Sequence, residues 1–378
     1  MALDHYDVVI VGGGPAGSSC AWRLCRAGLR VAVCDRFVFP RDKVCAGWIT
    51  PQAVVDLAFD LDDYGARRTL QPITGFRVGV MGRPDAVSIR YGRPVSYGIR
   101  RCEFDDYLLR RSGARLDLGT PVRSIVRQRD RWVIDGRVAA PILVGAGGHW
   151  CPVARLLNPR ADGGAVVVAQ ETEFPVAKHD ASAFTTEGDT PELYFSRDFD
   201  GYGWIFRKQD HVNIGVGSLN PRARAAATAA FVSELQERGV IPRRPIADAR
   251  WRGHAYLVSP PRFRRVSGEG VLLVGDSAGL AYPQSGEGIR PAIESGLIAA
   301  EVILESVADD SYDCLAEYDA RLASRFGNGG AGSGWPSRLV PDAAVARVGA
   351  QLLKLPWFVR RVVLNRWFLR AGEAALAA

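Results

Sequence analysis

Residues 7–11 form a short apolar run, broken at once by Gly12-Gly13-Gly14-Pro15-Ala16-Gly17, and a helical pattern of small residues carries on to about residue 27. A second apolar run over 30–34 ends on Asp35, so the spacing predicts strand, glycine turn, helix, strand. Alternating positions over 75–97 predict antiparallel strands, and residues 100–112 a helix. Strands are expected over 122–127 and 131–134. A fully apolar strand at 141–144 then runs into Gly145-Ala146-Gly147-Gly148, the pattern of a buried parallel strand beside a ligand. Residues 163–216 are again strand-like and 222–238 helical. A last buried strand over 270–274 ends in Gly275-Asp276, and small residues 292, 295, 296, 299 and 300 pack a helix after Gly286-Glu287-Gly288-Ile289. Thr50-Pro51 predicts a helix start with Thr50 as its cap.

These elements predict an α/β protein with a Rossmann-like domain interleaved with an antiparallel-sheet domain and a C-terminal helical segment. The expected boundaries are 1–75, 100–158 and 265–305 for the first domain, 76–99 and 159–264 for the second, and 306–378 for a helical cap. A glycine-rich patch at 327–334 marks a boundary. At 378 residues the chain is too long for one ordinary core. Its 47 % apolar content fits a well-buried globular protein.

The formal net charge is +7, yet only four of the 48 basic residues are Lys and the Arg residues do not cluster, which argues against a nucleic-acid partner. Seven Cys, at 20, 25, 34, 45, 102, 151 and 314, form no C-x-x-C pair and no metal spacing with the five His. That pattern predicts reduced thiols, no metal and a cytoplasmic location. No stretch has the length of a membrane span. The arginines at 360, 361, 366 and 370 fall on several sides of a helix. The tail is therefore expected to cap the second domain rather than face lipid, with peripheral membrane contact left open.

Gly12, Gly14 and Gly17 match G-x-G-x-x-G, whose glycines serve the tight turn, the approach of backbone to a pyrophosphate, and close packing of the helix on the sheet. Asp35 stands about the ~20 residues downstream at which a carboxylate accepts ribose hydroxyls. A polar loop, residues 39–47, follows this unit and carries Cys45. It is placed to reach the reactive end of a cofactor, although a small packed residue is the plain alternative for Cys45. Tyr202-Gly203-Trp204-Ile205-Phe206 is a pocket wall or simply sheet core.

Four segments in order, Gly12 to Gly17 with Asp35, Pro40-Arg41-Asp42-Lys43-Val44-Cys45, Arg101 with Phe104-Asp105, and Gly275-Asp276 through Gly286-Glu287-Gly288-Ile289, resemble the FAD-dependent geranylgeranyl reductases. These belong to the wider p-hydroxybenzoate hydroxylase fold, and the resemblance spans residues 5 to about 305. It implies an FAD site in which Gly12, Gly13, Gly14, Pro15, Ala16 and Gly17 hold the pyrophosphate and Asp35, with Arg36 beside it, the adenosine ribose. Val122 would lie near the adenine, Arg101 on the phosphate or ribityl side, and Gly275 and Asp276 at the ribityl and pyrophosphate region. Gly286, Gly288 and Ile289 would border the isoalloxazine and Cys45 would stand beside the flavin ring, with Lys43, Ala46 and Pro283 also among the FAD-binding residues. The resemblance also implies hydride transfer from flavin N5 to a C=C bond of an isoprenoid or other apolar substrate. Cys45 or Tyr202 would act at the reacting face, and Tyr202, Trp204 and Phe206 would line a prenyl-chain pocket. The chain departs from the family at Ala46 and Arg207, and in the acid-free Ala146-Gly147-Gly148. No second glycine fingerprint serves a resident nicotinamide, so NADPH, NADH or a redox protein is expected to dock transiently as electron donor. The alternative on this fold is a monooxygenase or halogenase acting through a flavin hydroperoxide, disfavoured because a Trp-x-Trp-x-Ile-Pro run is lacking. A flavoprotein that keeps FAD for structure is the non-catalytic alternative.

Overall fold

The computed structural model describes residues 3–159, 165–177, 182–220, 224–243, 249–259, 264–282, 284–309, 317–327 and 342–376. The chain divides into two compact units: 1–42 with 102–165 and 256–332, and 43–101 with 166–255 and 333–378.

The first unit is built on a six-stranded sheet in the order Ser267–Gly268, Val271–Leu273, Ile142–Gly145, Val8–Val11, Val31–Asp35, Arg115–Leu118. All pairs are parallel except the first. Val8–Val11 is apolar throughout because it is buried on both faces, which an uninterrupted hydrophobic run satisfies. The helices Pro15–Arg26 and Ile289–Ala308 touch closely: a Cβ on Gly296 would stand 2.3 Å from the Ala16 carbonyl oxygen. Fully buried Ile293, Val302 and Ile303 add ~1.5–3 kcal/mol each by leaving water. Arg290 and Glu294, both buried, pair at 2.7 Å, and Arg325 joins the same carboxylate at 2.6 Å.

The second unit is built on a seven-stranded sheet in the order Arg252–Ser259, Ala165–Pro175, His211–Ser218, Gly201–Lys208, Glu192–Phe195, Gly75–Val80, Ala86–Arg90. Strand alternation puts Tyr202, Trp204, Phe206 and Lys208 on one face and Ile205 on the other. The Ile205 face is covered by the helix Arg224–Glu237, whose Phe231 and Leu235 pack with Tyr194, Ile205, Ile214 and Val216.

Residues 43–75, grouped with the first domain on sequence, cluster with the second unit. Trp48–Ile49 and Leu70–Ile73 both pair with Ser96–Ile99, and this three-stranded sheet belongs there. The helix Glu317–Phe326 falls in the first unit and residues 342–376 in the second, so the segment expected as one cap is divided. The described tail comprises Asp342–Leu352, Pro356–Phe358 and a π-helix, Val359–Phe368. Most of the glycine-rich patch lies outside the described residues. Thr50 does precede the helix Pro51–Asp56, but its hydroxyl makes no capping bond. Asp60 caps Leu61–Gly65, accepting from the N–H groups of Asp62 and Asp63. Among the described residues no helix is long and apolar enough to cross a membrane, and no group of three or more His, Cys, Asp or Glu could hold a metal ion.

Candidate functional site

In the first unit four loops leave the carboxyl ends of adjacent parallel strands: the glycine turn after Val11, Phe37 after Asp35, Ala146 to Gly148 after Gly145, and Gly275-Asp276 after Leu273. Open parallel sheets bind ligands at that edge. The helix Pro15–Arg26 starts at Gly14 with no side-chain cap and no acid in its first turn, so its dipole and early N–H groups suit an anion.

The three fingerprint glycines are required for different reasons. Gly12 has φ +117°, and a Cβ there would lie 2.3 Å from the Ala146 oxygen; a Cβ on Gly17 would lie 2.0 Å from the Gly12 oxygen. Gly14 is different. A Cβ there would meet only the Arg41 guanidinium, at an ordinary 3.6 Å. The room in front of Gly14 therefore fits a pyrophosphate. Asp35 accepts from the Gly13 N–H at 2.7 Å and from the Phe37 N–H at 2.9 Å, bracing the turn while each oxygen keeps a second lone pair. Arg36 is exposed, with its guanidinium 4.7 Å from the Phe37 ring centroid. Arg41 pairs with buried Asp105 at 3.1 Å. Val122 packs against the Trp132 and Ile134 cluster. A Cβ on Gly288 would lie 3.3 Å from Asp276 Oδ1, which sets that carboxylate beside the start of the helix Ile289–Ala308. A Cβ on Gly286 would lie 2.1 Å from the Tyr256 hydroxyl oxygen. Pro283 lies outside the described residues.

In the second unit, Arg101 is buried at the start of the helix Arg101–Arg111. Lys43 meets His254, Ala46 is half-buried, and Cys45 is a half-buried free thiol. On the sheet face opposite Phe231, Trp48 stacks on Phe206 at 5.0 Å between centroids. Phe368 meets Tyr202 edge-on at 5.4 Å and Phe195 at 6.3 Å, so Trp204 and Phe206 are covered while Tyr202 stays half-buried. The expected pocket wall is thus a layered aromatic cluster.

A polar group that sequence reading missed adjoins this cluster. Register places Glu173 opposite Asn213 and Asn213 opposite Phe206, and Glu171 opposite Gly215 and Gly215 opposite Trp204. Asn213 Oδ1 accepts from the Trp204 indole at 2.6 Å, and its Nδ2 lies 3.3 Å from the Cys45 carbonyl and 3.4 Å from Glu171 and Glu173. Lys208, buried, donates to Glu173 at 2.8 Å, and Arg100 reaches Glu173 at 3.3 Å. Burial pushes the Glu171 carboxyl up to about 8, against the Cys45 N–H and Lys208. Burial acts the same way on Glu173, but Lys208 and Arg100 outweigh it and leave that carboxyl below its ordinary value. The available signal was two acids at i and i+2 in a strand that begins Ala-Val-Val-Val.

Two outcomes are expected. A Cβ on Gly215 would lie 2.2 Å from the Trp204 ring, so Gly215→Ala tips the indole away from Asn213. The cost is ~1–3 kcal/mol, read by thermal melting and by a shift in tryptophan emission. For Glu171, the unfolded carboxyl ionises near 4.5 and the folded one near 8, so the folded state holds the extra proton between them. Stability therefore falls as pH rises through that window, and Glu171→Gln flattens the slope. Chemical denaturation across pH checks this, and an unchanged slope refutes it.

The FAD dependent oxidoreductase family matches residues 7–75. The menaquinone reductase of Mycobacterium tuberculosis is 31% identical over 94% of this chain and 86% of its own length. The geranylgeranyl diphosphate reductase of Rhodobacter capsulatus is 30% identical over 79% and 75%. Among solved structures, a geranylgeranyl bacteriochlorophyll reductase-like protein of Thermoplasma acidophilum superposes with TM-score 0.76 at 18% identity, covering 98% of this chain and 99% of that one. With a glycine cradle that fits a pyrophosphate and relatives alike along most of its length, the chain is an FAD-dependent oxidoreductase and belongs to the geranylgeranyl reductase family.

Proposed function

We propose that the protein reduces carbon–carbon double bonds in a prenyl chain of an apolar substrate, using FAD. The observation that carries this reading is the aromatic layer of Trp48, Phe195, Tyr202, Trp204, Phe206 and Phe368, which ends at the loop holding Cys45. Within this layer half-buried Tyr202 is the ring with surface left to give, and an apolar bed around it holds a hydrocarbon chain by area, at ~25 cal/mol per Å², with few directional contacts. Relatives named for reducing menaquinone and geranylgeranyl diphosphate support the same class.

When bound, FAD supplies hydride from its N5. The chain's own residues do the rest. The aromatic layer orients the alkene and keeps water from it. Cys45 and Tyr202 are the two side chains to which we assign the proton for the neighbouring carbon, so that hydride and proton together convert the double bond to a single one. NAD(P)H or a redox protein renews the electrons, and Asp276 and the glycine cradle would hold the FAD. Incubating the FAD-loaded, dithionite-reduced protein with geranylgeranyl diphosphate and with a prenylquinone extract, followed by mass spectrometry, tests this. A gain of two hydrogens per bond supports it. Recovery of unreduced lipid, with one oxygen inserted when air is admitted, overturns it in favour of a monooxygenase.

A further inference from the structure

The backbone of Cys45 is tied to the sheet beneath it through its carbonyl, which accepts from Asn213 Nδ2 at 3.3 Å, while the same amide nitrogen lies 3.4 Å from Glu171. The Cys45 N–H is among the groups that favour the charged form of the Glu171 carboxyl. Glu171 and Asn213 come from adjacent strands, Ala165–Pro175 and His211–Ser218, on the face that carries Trp204 and Phe206. The loop is held further along as well, since a Cβ on Gly47 would stand 2.6 Å from Lys208 Nζ. We propose that Glu171 is a positioning residue that, together with Asn213, fixes the Cys45 thiol at the end of the aromatic layer. The proposal rests on the reading that puts Cys45 at the reacting end of the substrate.

Proton count gives the clamp a definite state. The Asn213 amide has two hydrogens and faces three acceptors: the Cys45 carbonyl, Glu171 and Glu173. Glu173 is held charged by Lys208 and Arg100 and claims one hydrogen. While Glu171 carries its proton, the other hydrogen goes to the Cys45 carbonyl. Once Glu171 ionises, its oxygen competes for that hydrogen and the Cys45 carbonyl is released. The groups acting on Glu171 are Glu173 on its own strand, Lys208 on Gly201–Lys208, Asn213, and the Cys45 N–H.

The test reads the thiol. The FAD-loaded protein is alkylated with iodoacetamide across a pH series, and the Cys45 peptide is quantified by mass spectrometry against half-exposed Cys25 as an internal reference. Glu171→Ala is expected to raise the Cys45 rate about tenfold near neutral pH, the opening that loss of one net hydrogen bond allows. Glu171→Gln keeps an acceptor oxygen and cannot ionise. It is expected to stay within about twofold of wild type at neutral pH and to lack the extra change that the wild-type rate shows on crossing about pH 8. Should Glu171→Ala not fold, Glu171→Leu replaces the carboxyl at similar volume with the same expected rise. Wild-type rates in the apolar variant, or an unchanged inflection in Glu171→Gln, overturn the proposal. Because the readout is alkylation, failure of prenyl reduction leaves this result intact, and failure of the clamp leaves the reaction class standing.

Discussion

Lys208→Met is expected to lower stability by ~3–5 kcal/mol near neutral pH, the penalty for stranding a buried charge, out of the ~5–15 kcal/mol a folded domain ordinarily has. Lys208 is buried, and its ammonium lies 2.8 Å from Glu173. Methionine keeps most of the stem and removes only the charge. Glu173 then keeps Arg100 at 3.3 Å as its remaining cation, with burial opposing its ionisation. Its carboxyl, now below its ordinary value, moves above it. The sign of the pH effect follows: the loss is largest where Glu173 must be ionised and shrinks as pH falls toward the unfolded carboxyl's value of 4.5. Adding Glu173→Gln removes the stranded charge and is expected to restore most of the stability. Urea denaturation of the four proteins of this double-mutant cycle measures the coupling. Equal losses for Lys208→Met with and without Glu173→Gln would show that packing, not charge, is what Lys208 supplies.

How legible such features are depends on how far apart their parts lie in the chain. The strand, glycine turn, helix and strand over residues 7–35 could be read directly, because each requirement is met within a few residues of itself. Gly12 needs its left-handed backbone, Gly17 its close approach, and Val8–Val11 its two apolar neighbours. Gly275-Asp276 was equally clear, as a polar break at the end of a buried strand. The polar hub of the second unit was not. Glu171, Lys208 and Asn213 come from three strands and become neighbours only through sheet register, which a one-residue slip would undo. Trp48 and Phe368, which cover Phe206, Tyr202 and Phe195, stand 320 residues apart and were not connected by any periodicity. For the same reason, although the tail is expected to cap the second domain, nothing in its spacing singles out Phe368 as part of the aromatic layer.

Gly14 offers the sharpest separation of folding from cofactor binding. Where Gly12 and Gly17 are confined by the protein's own backbone, Gly14 has open space in front of it, with only the Arg41 guanidinium at 3.6 Å from an added Cβ. Its backbone, at φ −74° and ψ −177°, is one that any residue adopts, so neither strain nor packing within the chain requires glycine there. What remains is the ligand. Gly14→Ala is therefore expected to melt within ~0.5 kcal/mol of wild type in the absence of FAD, as substitutions clear of such constraints do. It is also expected to weaken FAD by ~10–100-fold, because a methyl group forced against a pyrophosphate costs ~1–3 kcal/mol. Gly12→Ala and Gly17→Ala are expected to lose stability and FAD together, since their methyl groups would stand 2.3 Å and 2.0 Å from backbone oxygens. Titrating the apo-protein with FAD by fluorescence quenching, beside melts of the same samples, distinguishes the two behaviours. A Gly14→Ala protein that binds FAD as tightly as wild type would mean that the pyrophosphate does not lie over this turn.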